Sequence, residues 1–390
     1  MNGVGKAMID CIGYEICGRS GKIALPDVSA PFLSELYRLS KAHDMAHLVG
    51  DALAKCGILT KGETGNKFDR QFLAAVYRAE MLDAETDRIR KLFVGANIDF
   101  IPLKGAVIRR LYPEPWMRTS CDIDILVKEE SLGVAAAVLL QNGYREGTKG
   151  SHDIGMYSEN GVHLELHYLL TEKDGPGQAE LVLGNIWNIC ERVGDTCESE
   201  MNDETFYLYF IAHMAKHVVH GGCGVKPFAD LWILRTKLPQ NEEKRNELLE
   251  ICGLKKFADA ARSLTEVWFG GKERTETDLE FENFVLSGGV YGTLENSVFI
   301  GRNEKGGKIR YLLSRVWLKK DALKYRYPVL EKHGWLLPVC EIRRWFTLLF
   351  GGSVKRGARE IRLAVSNDPE KANRAARLMK DIGLSGRGPQ

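Results

Sequence analysis

Apolar residues in the first quarter of the chain recur at the three- and four-residue spacing of amphipathic helices. The spacing predicts helices over residues 31–94, interrupted at the polar, glycine-containing stretch Thr60 to Asn66. Nothing in the first 94 residues has a pattern typical of a chemical site. The positions that define the two helical patterns are Phe32, Leu33, Leu36, Tyr37 and Leu39, followed by Phe72, Leu73, Val76, Leu82, Ile89 and Leu92.

From Ile98 the pattern changes to that of a sheet. Residues 98–103 are predicted to form a short strand that stops at Lys104-Gly105, and Ala106 to Leu111 fit a following helix. Residues 121–127 alternate and then become continuously apolar, as a central strand does. The order strand, glycine turn, helix, strand is therefore expected here.

Two further strands are predicted after a second helix. The helix covers Leu132 to Gln141. The strands lie between Gly150 and Leu170 and flank a turn at Glu159-Asn160-Gly161, and the second of them is Val162 to His167. A mixed sheet with helices between its strands is expected over about residues 97–170.

Helical periodicity returns beyond Asp203, with interruptions at the glycine pairs 270–271, 288–289 and 351–352. The expected fold class is therefore α+β, with a small mixed β-sheet core and its helices embedded between N- and C-terminal helical segments. The predicted division is a helical segment at 1–94, an α/β core at 95–200 and a helical domain at 201–390.

The composition is that of a folded, soluble protein. Hydrophobic residues make up 44% and charged residues 27% of 390 positions, and this length favours two or three domains. The nine scattered cysteines include no C-x-x-C pair, which indicates a reducing compartment. Neither a secretory signal nor an apolar stretch of spanning length is present, so we expect a cytoplasmic protein with no membrane among its partners.

Positive charge is concentrated near the C-terminus. The net charge is only +2, whereas residues 341–390 hold eleven Lys and Arg against five Asp and Glu. This excess is compatible with an anionic partner or phosphate-rich ligand, and also with a solvated helix face. The solvated face is favoured, because aromatic residues are not interleaved with these charges as stacking platforms would require.

The strand at 121–127 carries two aspartates on one side. Side chains two residues apart on a strand share a face, so Asp122 and Asp124 present their carboxylates together. Mg²⁺ suits such a pair, because it takes hard oxygen ligands from carboxylates and substrate phosphates. If Glu165 on the neighbouring strand reaches the same side, three carboxylates can hold two metals about 3.5–4 Å apart for in-line nucleotidyl transfer. A bare D-x-D is more often a surface pair, but the apolar strand around this one favours the functional interpretation.

The turn Leu103-Lys104-Gly105 complements the carboxylates with positive charge. A glycine lets the backbone approach a phosphate, and a following helix N-terminus offers free N–H groups. Lys104 and Arg118 add charge, and Arg118 is placed to contact phosphate oxygens in a bidentate manner.

The segment from Phe100 to Val127 resembles the uncharacterised nucleotidyltransferase family of the DNA polymerase beta-like nucleotidyltransferase superfamily. The resemblance rests on Leu103-Lys104-Gly105, Arg118 and the run from Asp122 to Val127. It spans about residues 30–350 and is specific around 100–170. The later segments that resemble family motifs are Glu165-Leu166-His167, His213, Lys216-His217, Gly221-Gly222, Asp230-Leu231 and Arg326-Tyr327-Pro328.

The resemblance implies a site in which the glycine turn holds a nucleoside triphosphate. Asp122 and Asp124 would bind Mg²⁺ or Mn²⁺, and Glu165 would complete the metal site or activate the acceptor. Lys216 and His217 would lie near the nucleotide. One departure is Gly105-Ala106, where the superfamily usually has Gly-Ser or Gly-Gly.

Two groups of histidines accompany these motifs. His213, His217 and His220 fall on one helical face, where hydrogen bonding near the cleft and a plain core role are both open. Zinc is disfavoured, because no cysteine or carboxylate occupies a matching helical position. His163 and His167 flank the glutamate of their strand, so that one can orient this carboxylate or act as a general base.

The expected activity is transfer of a nucleoside monophosphate from a nucleoside triphosphate to an acceptor by a two-metal in-line mechanism. The acceptor is a small molecule, a protein side chain or an RNA end, and the sequence does not choose among them. The alternative is a catalytically degenerate module that binds nucleotide or docks a partner, which the alanine at Ala106 motivates.

Overall fold

A computed structural model of the chain describes residues 3–59, 62–171, 175–239, 241–350, 354–366 and 369–385. Its N-terminal part is helical, and the helices are α1 (Gly3–Ile16), α2 (Ala30–Ala42), α3 (Ala46–Lys55) and α4 (Glu63–Gly95).

The N-terminal helices differ from the periodicity in three places, one of which is the unpredicted break between α2 and α3 at residues 43–45. Helix α1 was not predicted, because it is buried on most sides and therefore has no single apolar stripe. The predicted break at Thr60 to Asn66 is too long, since α4 begins at Glu63; Thr60 and Lys61 lie outside the described residues. Helix α2 begins after Ser29, because the hydroxyl of this N-cap residue accepts a hydrogen bond from the backbone N–H of Phe32.

The sheet has five strands in the order β1-β2-β5-β4-β3. Strands β2 and β5 are parallel, and every other neighbouring pair is antiparallel. The mixed sheet and the α+β class are thus confirmed, although the strand β3 was not predicted. The strands are β1 (Phe100–Pro102), β2 (Asp122–Val127), β3 (Arg145–Lys149), β4 (Asp153–Tyr157) and β5 (His163–His167).

One face of the sheet is apolar and is covered by helices. Ile123 and Ile125 of β2 and Leu164 and Leu166 of β5 pack in a cluster with α4 and with α6 (Leu132–Gln141). Because side chains alternate along a strand, the residues between these four point to the opposite face. That opposite face is the polar one.

The helix after β1 begins earlier than predicted. Helix α5 covers Lys104–Ile108 and continues into a 3-10 turn at Arg109–Leu111, whereas the sequence predicted a helix over Ala106 to Leu111. Lys104 and Gly105 therefore form the first turn of the helix instead of a loop before it.

β structure also extends further than the predicted range of 97–170. After α7 (Glu180–Leu183) and α8 (Ile186–Ile189), a two-stranded ribbon pairs β6 (Glu191–Arg192) with β7 (Ser199–Glu200). An isolated bridge from Glu198 to Phe100 joins this ribbon to the edge strand β1. The two-residue strands are too short for an alternating pattern, which is why the sequence did not indicate them.

The rest of the described chain is helical, and the breaks at glycines 270–271 and 288–289 are confirmed, whereas 351–352 lies outside the described residues. The helices are α9 (Asp203–Val219), α10 (Lys226–Lys237), α11 (Glu242–Ile251), α12 (Lys255–Thr265) with a π-helical turn at Glu266–Gly270, α13 (Glu276–Leu286), α14 (Leu294–Glu304), α15 (Lys308–Val316), α16 (Lys320–Leu323), α17 (Val329–Lys332), a 3-10 turn at Gly334–Leu336, α18 (Leu337–Phe350), α19 (Val354–Val365) and α20 (Pro369–Asp381).

One apolar core crosses both predicted domain boundaries. It includes Met8 and Leu36 of the N-terminal helices, Leu126 of the sheet, and Phe228 and Phe281 of the later helices. The divisions after residues 94 and 200 remain predictions. Among the described helices, none combines the length and the apolar character needed to cross a bilayer.

Candidate active site

The polar face of the sheet brings the three predicted carboxylates together. In the parallel register of β2 and β5, Asp124 lies opposite Glu165 and Asp122 lies opposite His163. All four side chains project from the same face, because they sit at alternate positions on paired strands. Asp124 is buried, while Asp122 and Glu165 are partly exposed at the rim.

Possible metal ligands form two overlapping groups around Glu165. Asp122, His163 and Glu165 form one group, and Asp124, Glu165 and His167 form the other. Within each group the ligand atoms lie within 4.8 Å of one another. Each group combines two carboxylates with one histidine and Glu165 belongs to both, so this cluster could hold a metal ion.

Asp124 is held by a lysine and a histidine. Lys104 Nζ donates to its Oδ1 at 2.8 Å, and His167 Nε2 lies 2.9 Å from the same oxygen. Burial alone would raise the pKa of Asp124, but Lys104 and His167 outweigh it and hold this pKa well below its ordinary value. The carboxylate is therefore ionised and fixed in orientation.

Asp122 has the opposite environment. Burial, followed by the negative charges of Asp124 and Glu165, raises the pKa of Asp122. The two neighbouring carboxylates thus add repulsion to the cost of burying this group. A bound cation would relieve that repulsion.

Lys104 reaches Asp124 from a strained backbone. Its φ is +37°, in a region that non-glycine residues seldom occupy. The backbone N–H of Leu103 donates to the carbonyl of Asp124 at 3.0 Å, which fixes the start of the turn against β2. Strain of this kind persists only where the surroundings enforce it, and it is frequent at functional sites.

Gly105 is buried beside the cleft and allows close packing. A Cβ at this position would lie 2.5 Å from Ser120 Oγ and 3.0 Å from Arg118 Nη1. Ser120 lines the cleft, so its hydroxyl lies close to the turn where Ala106 has none. The lack of a side chain at Gly105 thus allows Ser120 and Arg118 to pack against the backbone of the turn.

Gly105→Ala is expected to destabilise the protein by about 1–3 kcal/mol, because the added methyl overpacks the contact with Ser120. Thermal unfolding measures the loss. Gly133→Ala on α6, where a Cβ meets open space, is the matched control and should be neutral or slightly stabilising. Adding Ser120→Gly to Gly105→Ala should recover part of the stability; no recovery would contradict the assigned clash.

Arg118 is paired inside the protein. Its Nη2 lies 3.0 Å from Oδ2 of Asp230, and Tyr112 donates its hydroxyl hydrogen to Oδ1 of the same carboxylate at 2.8 Å. Asp230 is buried inside α10 and lines the cleft, so it does not cap this helix. Arg118 still borders the cleft, but its charge is already compensated.

Asp44, from the N-terminal helical part, completes the wall of the cleft that Arg118 and Ser120 form. Asp44 lies between α2 and α3 with φ +56° and accepts a hydrogen bond from Thr119 Oγ1 at 2.8 Å. Lys226 at the start of α10 forms an ion pair with the same carboxylate and donates to the carbonyl of Thr119 at 3.1 Å. Asp44 therefore links three parts of the chain at the cleft.

The opposite wall is formed by α9. His213 and His217 line the cleft and share a hydrogen bond between their Nε2 atoms at 2.9 Å, so one ring donates and the other accepts. Burial, followed by the charge of Lys104, lowers the pKa of both rings, that of His217 to about 4. Lys216 also lines the cleft. His220 is exposed and does not join the pair, because its Nδ1 bonds to the backbone carbonyl of Lys216.

These walls enclose a cleft of about 840 Å³. A family model described as uncharacterised nucleotidyltransferase matches residues 33–270, which include the sheet, the three carboxylates and α9. The chain belongs to this family. Membership in the uncharacterised nucleotidyltransferase family supports a role in nucleotidyl transfer. The segment Arg326-Tyr327-Pro328 lies outside the match, and no curated protein matches the chain.

Several cleft residues of this family member carried no sequence signal. Ser120 and Lys226 are single polar residues without a motif, and Asp44 lies in a segment with no pattern typical of a chemical site. Tyr209 of α9 is buried against the cleft and follows the helical periodicity of a core residue.

Proposed function

We propose that this nucleotidyltransferase transfers a nucleoside monophosphate from a nucleoside triphosphate to an acceptor hydroxyl or phosphate, with divalent metal ions held at Asp122, Asp124 and Glu165. The observation that carries the proposal is the register of β2 and β5, which sets Asp124 opposite Glu165 with Asp122 on the same face. The donor set fits Mg²⁺ or Mn²⁺, because it consists of carboxylate oxygens.

The residues around the carboxylates have separate roles in this proposal. Bound metal ions would supply Lewis-acid stabilisation of the phosphate oxygens. His167 orients Asp124 and Glu165, since its Nε2 lies 2.9 Å and 3.4 Å from their oxygens. Lys104 and Lys216 line the cleft and supply positive charge for the triphosphate. In the transfer, the acceptor oxygen bonds to the α-phosphorus while the bond from this phosphorus to the α–β bridging oxygen breaks. A hydroxyl acceptor gives its proton to solvent, and pyrophosphate leaves.

Three further residues shape the cleft around the carboxylates in this proposal: Arg118, Gly105 and His217. Arg118 keeps the Ser120 side of the cleft in place through its hydrogen bond to Ser120 Oγ at 3.0 Å. Gly105 permits that contact, and His217 presents an uncharged ring from α9. The acceptor, whether small molecule, protein or RNA, occupies the rest of the cleft.

Mg²⁺ together with a nucleoside triphosphate is expected to raise the melting temperature of the wild-type protein and to yield pyrophosphate. Ligand at one hundred times its dissociation constant adds about 2.7 kcal/mol to the stability of the folded state. Differential scanning fluorimetry with each triphosphate measures the shift, and a coupled pyrophosphate assay measures turnover. No shift with any triphosphate in the presence of Mg²⁺ or Mn²⁺ would refute the proposal.

The contacts of Asp124 favour a second candidate function. Lys104 and His167 already neutralise this carboxylate, and Ala106 lacks the hydroxyl usual in the superfamily. A nucleotide-binding module without turnover, or one that docks a partner, fits these features. It predicts calorimetric binding of a triphosphate with no pyrophosphate released, even when cell extract supplies acceptors.

A further inference from the structure

Exposed apolar side chains are concentrated on helices that lie beyond the family match. On α15, Ile309 is 73% exposed and Leu313 is 61% exposed, and both sit one turn apart on the same face. Val316 and Trp317 continue this face at the end of the helix and are also exposed. Exposed aliphatic residues at helical spacing form an apolar stripe, whose exposure to water is unfavourable.

Two neighbouring helices repeat the feature. On α18, Val339, Ile342 and Phe346 are exposed at spacings of three and four residues. On α19, Ile361 and Val365 are exposed one turn apart. We call these exposed residues of α15, α18 and α19 the C-terminal apolar surface.

Polar contacts hold the three helices together. Tyr311 and Arg315 of α15 donate to Glu360 of α19 at 2.8 Å and 2.6 Å. Arg344 and Trp345 of α18 donate to the carbonyl of Val316 at 2.7 Å and 3.1 Å. The three stripes therefore belong to one packed unit.

The same region is strongly basic. Residues 305–366 contain fifteen Lys and Arg and four Asp and Glu, a net charge of +11, whereas the whole chain carries +2. The rest of the protein is therefore acidic. This contrast gives the C-terminal helices an electrostatic field opposite in sign to that of the catalytic part.

We infer that the C-terminal apolar surface binds the surface of an anionic lipid bilayer. A bilayer interface offers acyl chains to the aliphatic stripe and negative headgroups to the flanking Lys and Arg. Trp317 and Trp335, which is 75% exposed in the turn before α18, are the residue type enriched at such interfaces. The helices lie on the bilayer and do not span it.

Two other occupants fit less well. In a symmetric contact, a second copy of this chain would bring the same charge of +11 against the surface, and like charges repel. An RNA would satisfy the charge, and Trp317 and Phe346 can stack on bases, but most of the surface is aliphatic and offers neither stacking nor hydrogen bonds to bases. The inference departs from the expectation that no membrane is a partner, which rested on the lack of a spanning segment, and it is independent of the transferase proposal.

Flotation with vesicles tests the inference on the full chain. Vesicles of equal parts phosphatidylcholine and phosphatidylglycerol should carry the protein upward, and pure phosphatidylcholine vesicles should not. Ile309→Ser combined with Leu313→Ser should reduce the bound fraction about tenfold, because it removes the apolar contact. Both residues are exposed, so the circular dichroism spectrum and melting temperature should not change.

Leu73→Ser combined with Tyr77→Ser is the matched control, since both residues are exposed apolar positions on α4. This variant should float like the wild type. Three outcomes would overturn the inference. The first is no flotation with anionic vesicles, and the second is equal flotation of the Ile309/Leu313 variant. The third is absence of flotation together with a wild-type dimer in sedimentation velocity that the variant does not form. Retention of a labelled RNA by the wild type without flotation would assign the surface to nucleic acid instead.

Discussion

The Asp122→Asn variant is expected to be more stable than the wild type without metal and to lose metal-dependent pyrophosphate release. Burial, followed by the negative charges of Asp124 and Glu165, raises the pKa of Asp122, so a neutral amide removes both the cost of burying the charge and the repulsion. Metal binding loses a ligand at the same time. The loss of several kcal/mol of transition-state stabilisation corresponds to a decrease in rate of about 10³-fold.

Asp124→Asn should lower stability as well as activity. Lys104 and His167 would lose their charged partner, and an uncompensated buried cation costs about 3–5 kcal/mol. Two aspartates on one strand are therefore predicted to affect the melting temperature in opposite directions. Thermal unfolding and the pyrophosphate assay, with and without Mg²⁺, measure both effects.

Glu146→Gln is the control for these substitutions. Glu146 lies exposed on β3 and does not line the cleft, so neither quantity should change. If Asp122→Asn lowered the melting temperature in the absence of metal, the proposed cost of the Asp122 charge would be wrong. If the variant kept a Mg²⁺-induced shift and full turnover, Asp122 would not be a metal ligand.

Asp230→Asn is expected to lower the free energy of unfolding by about 3–5 kcal/mol, because the substitution leaves the buried Arg118 guanidinium without its counter-charge. The amide keeps the shape of the side chain and one acceptor for Tyr112. Urea unfolding, followed by tryptophan fluorescence, measures the change in midpoint.

Glu35→Gln provides the comparison for the buried pair. Glu35 and Arg38 form an exposed ion pair at 3.8 Å, and loss of such a pair changes stability by at most about 1 kcal/mol. A result contrary to our assignment would be a small loss of stability in Asp230→Asn together with a large change in triphosphate affinity. Arg118 would then serve the nucleotide more than the fold.

The sequence predicted the local structure of the site better than its surroundings. The strand with Asp122 and Asp124 could be recognised because two polar positions interrupt an apolar run with a period of two. Alternation also predicted that Glu165 shares one face of its strand with His163 and His167, but it left open whether that face meets the two aspartates. The parallel pairing of β2 and β5 decides this and sets Glu165 opposite Asp124. The alternation depends on neighbouring residues alone, whereas the pairing joins distant segments.

The partners of Arg118 and Asp124 depend on contacts between distant segments. Asp230 lies 112 residues after Arg118, and their ion pair follows from the way α10 packs beside the cleft. The lysine at the glycine turn remains a predicted phosphate ligand, and the bond from its Nζ to Asp124 is a contact that the sequence did not indicate. Periodicity carries no information about such pairs, because it describes which face is apolar and not what meets it.

The position of Asp44 has a consequence for how the chain can be divided. This carboxylate comes from the turn between α2 and α3, yet it is bonded to Thr119 beside β2 and to Lys226 on α10. A fragment limited to residues 95–200 would keep the three carboxylates proposed to bind metal and lose both Asp44 and Lys226. Transplanting the sheet into another protein would thus carry the proposed metal ligands without the walls that give the cleft its shape.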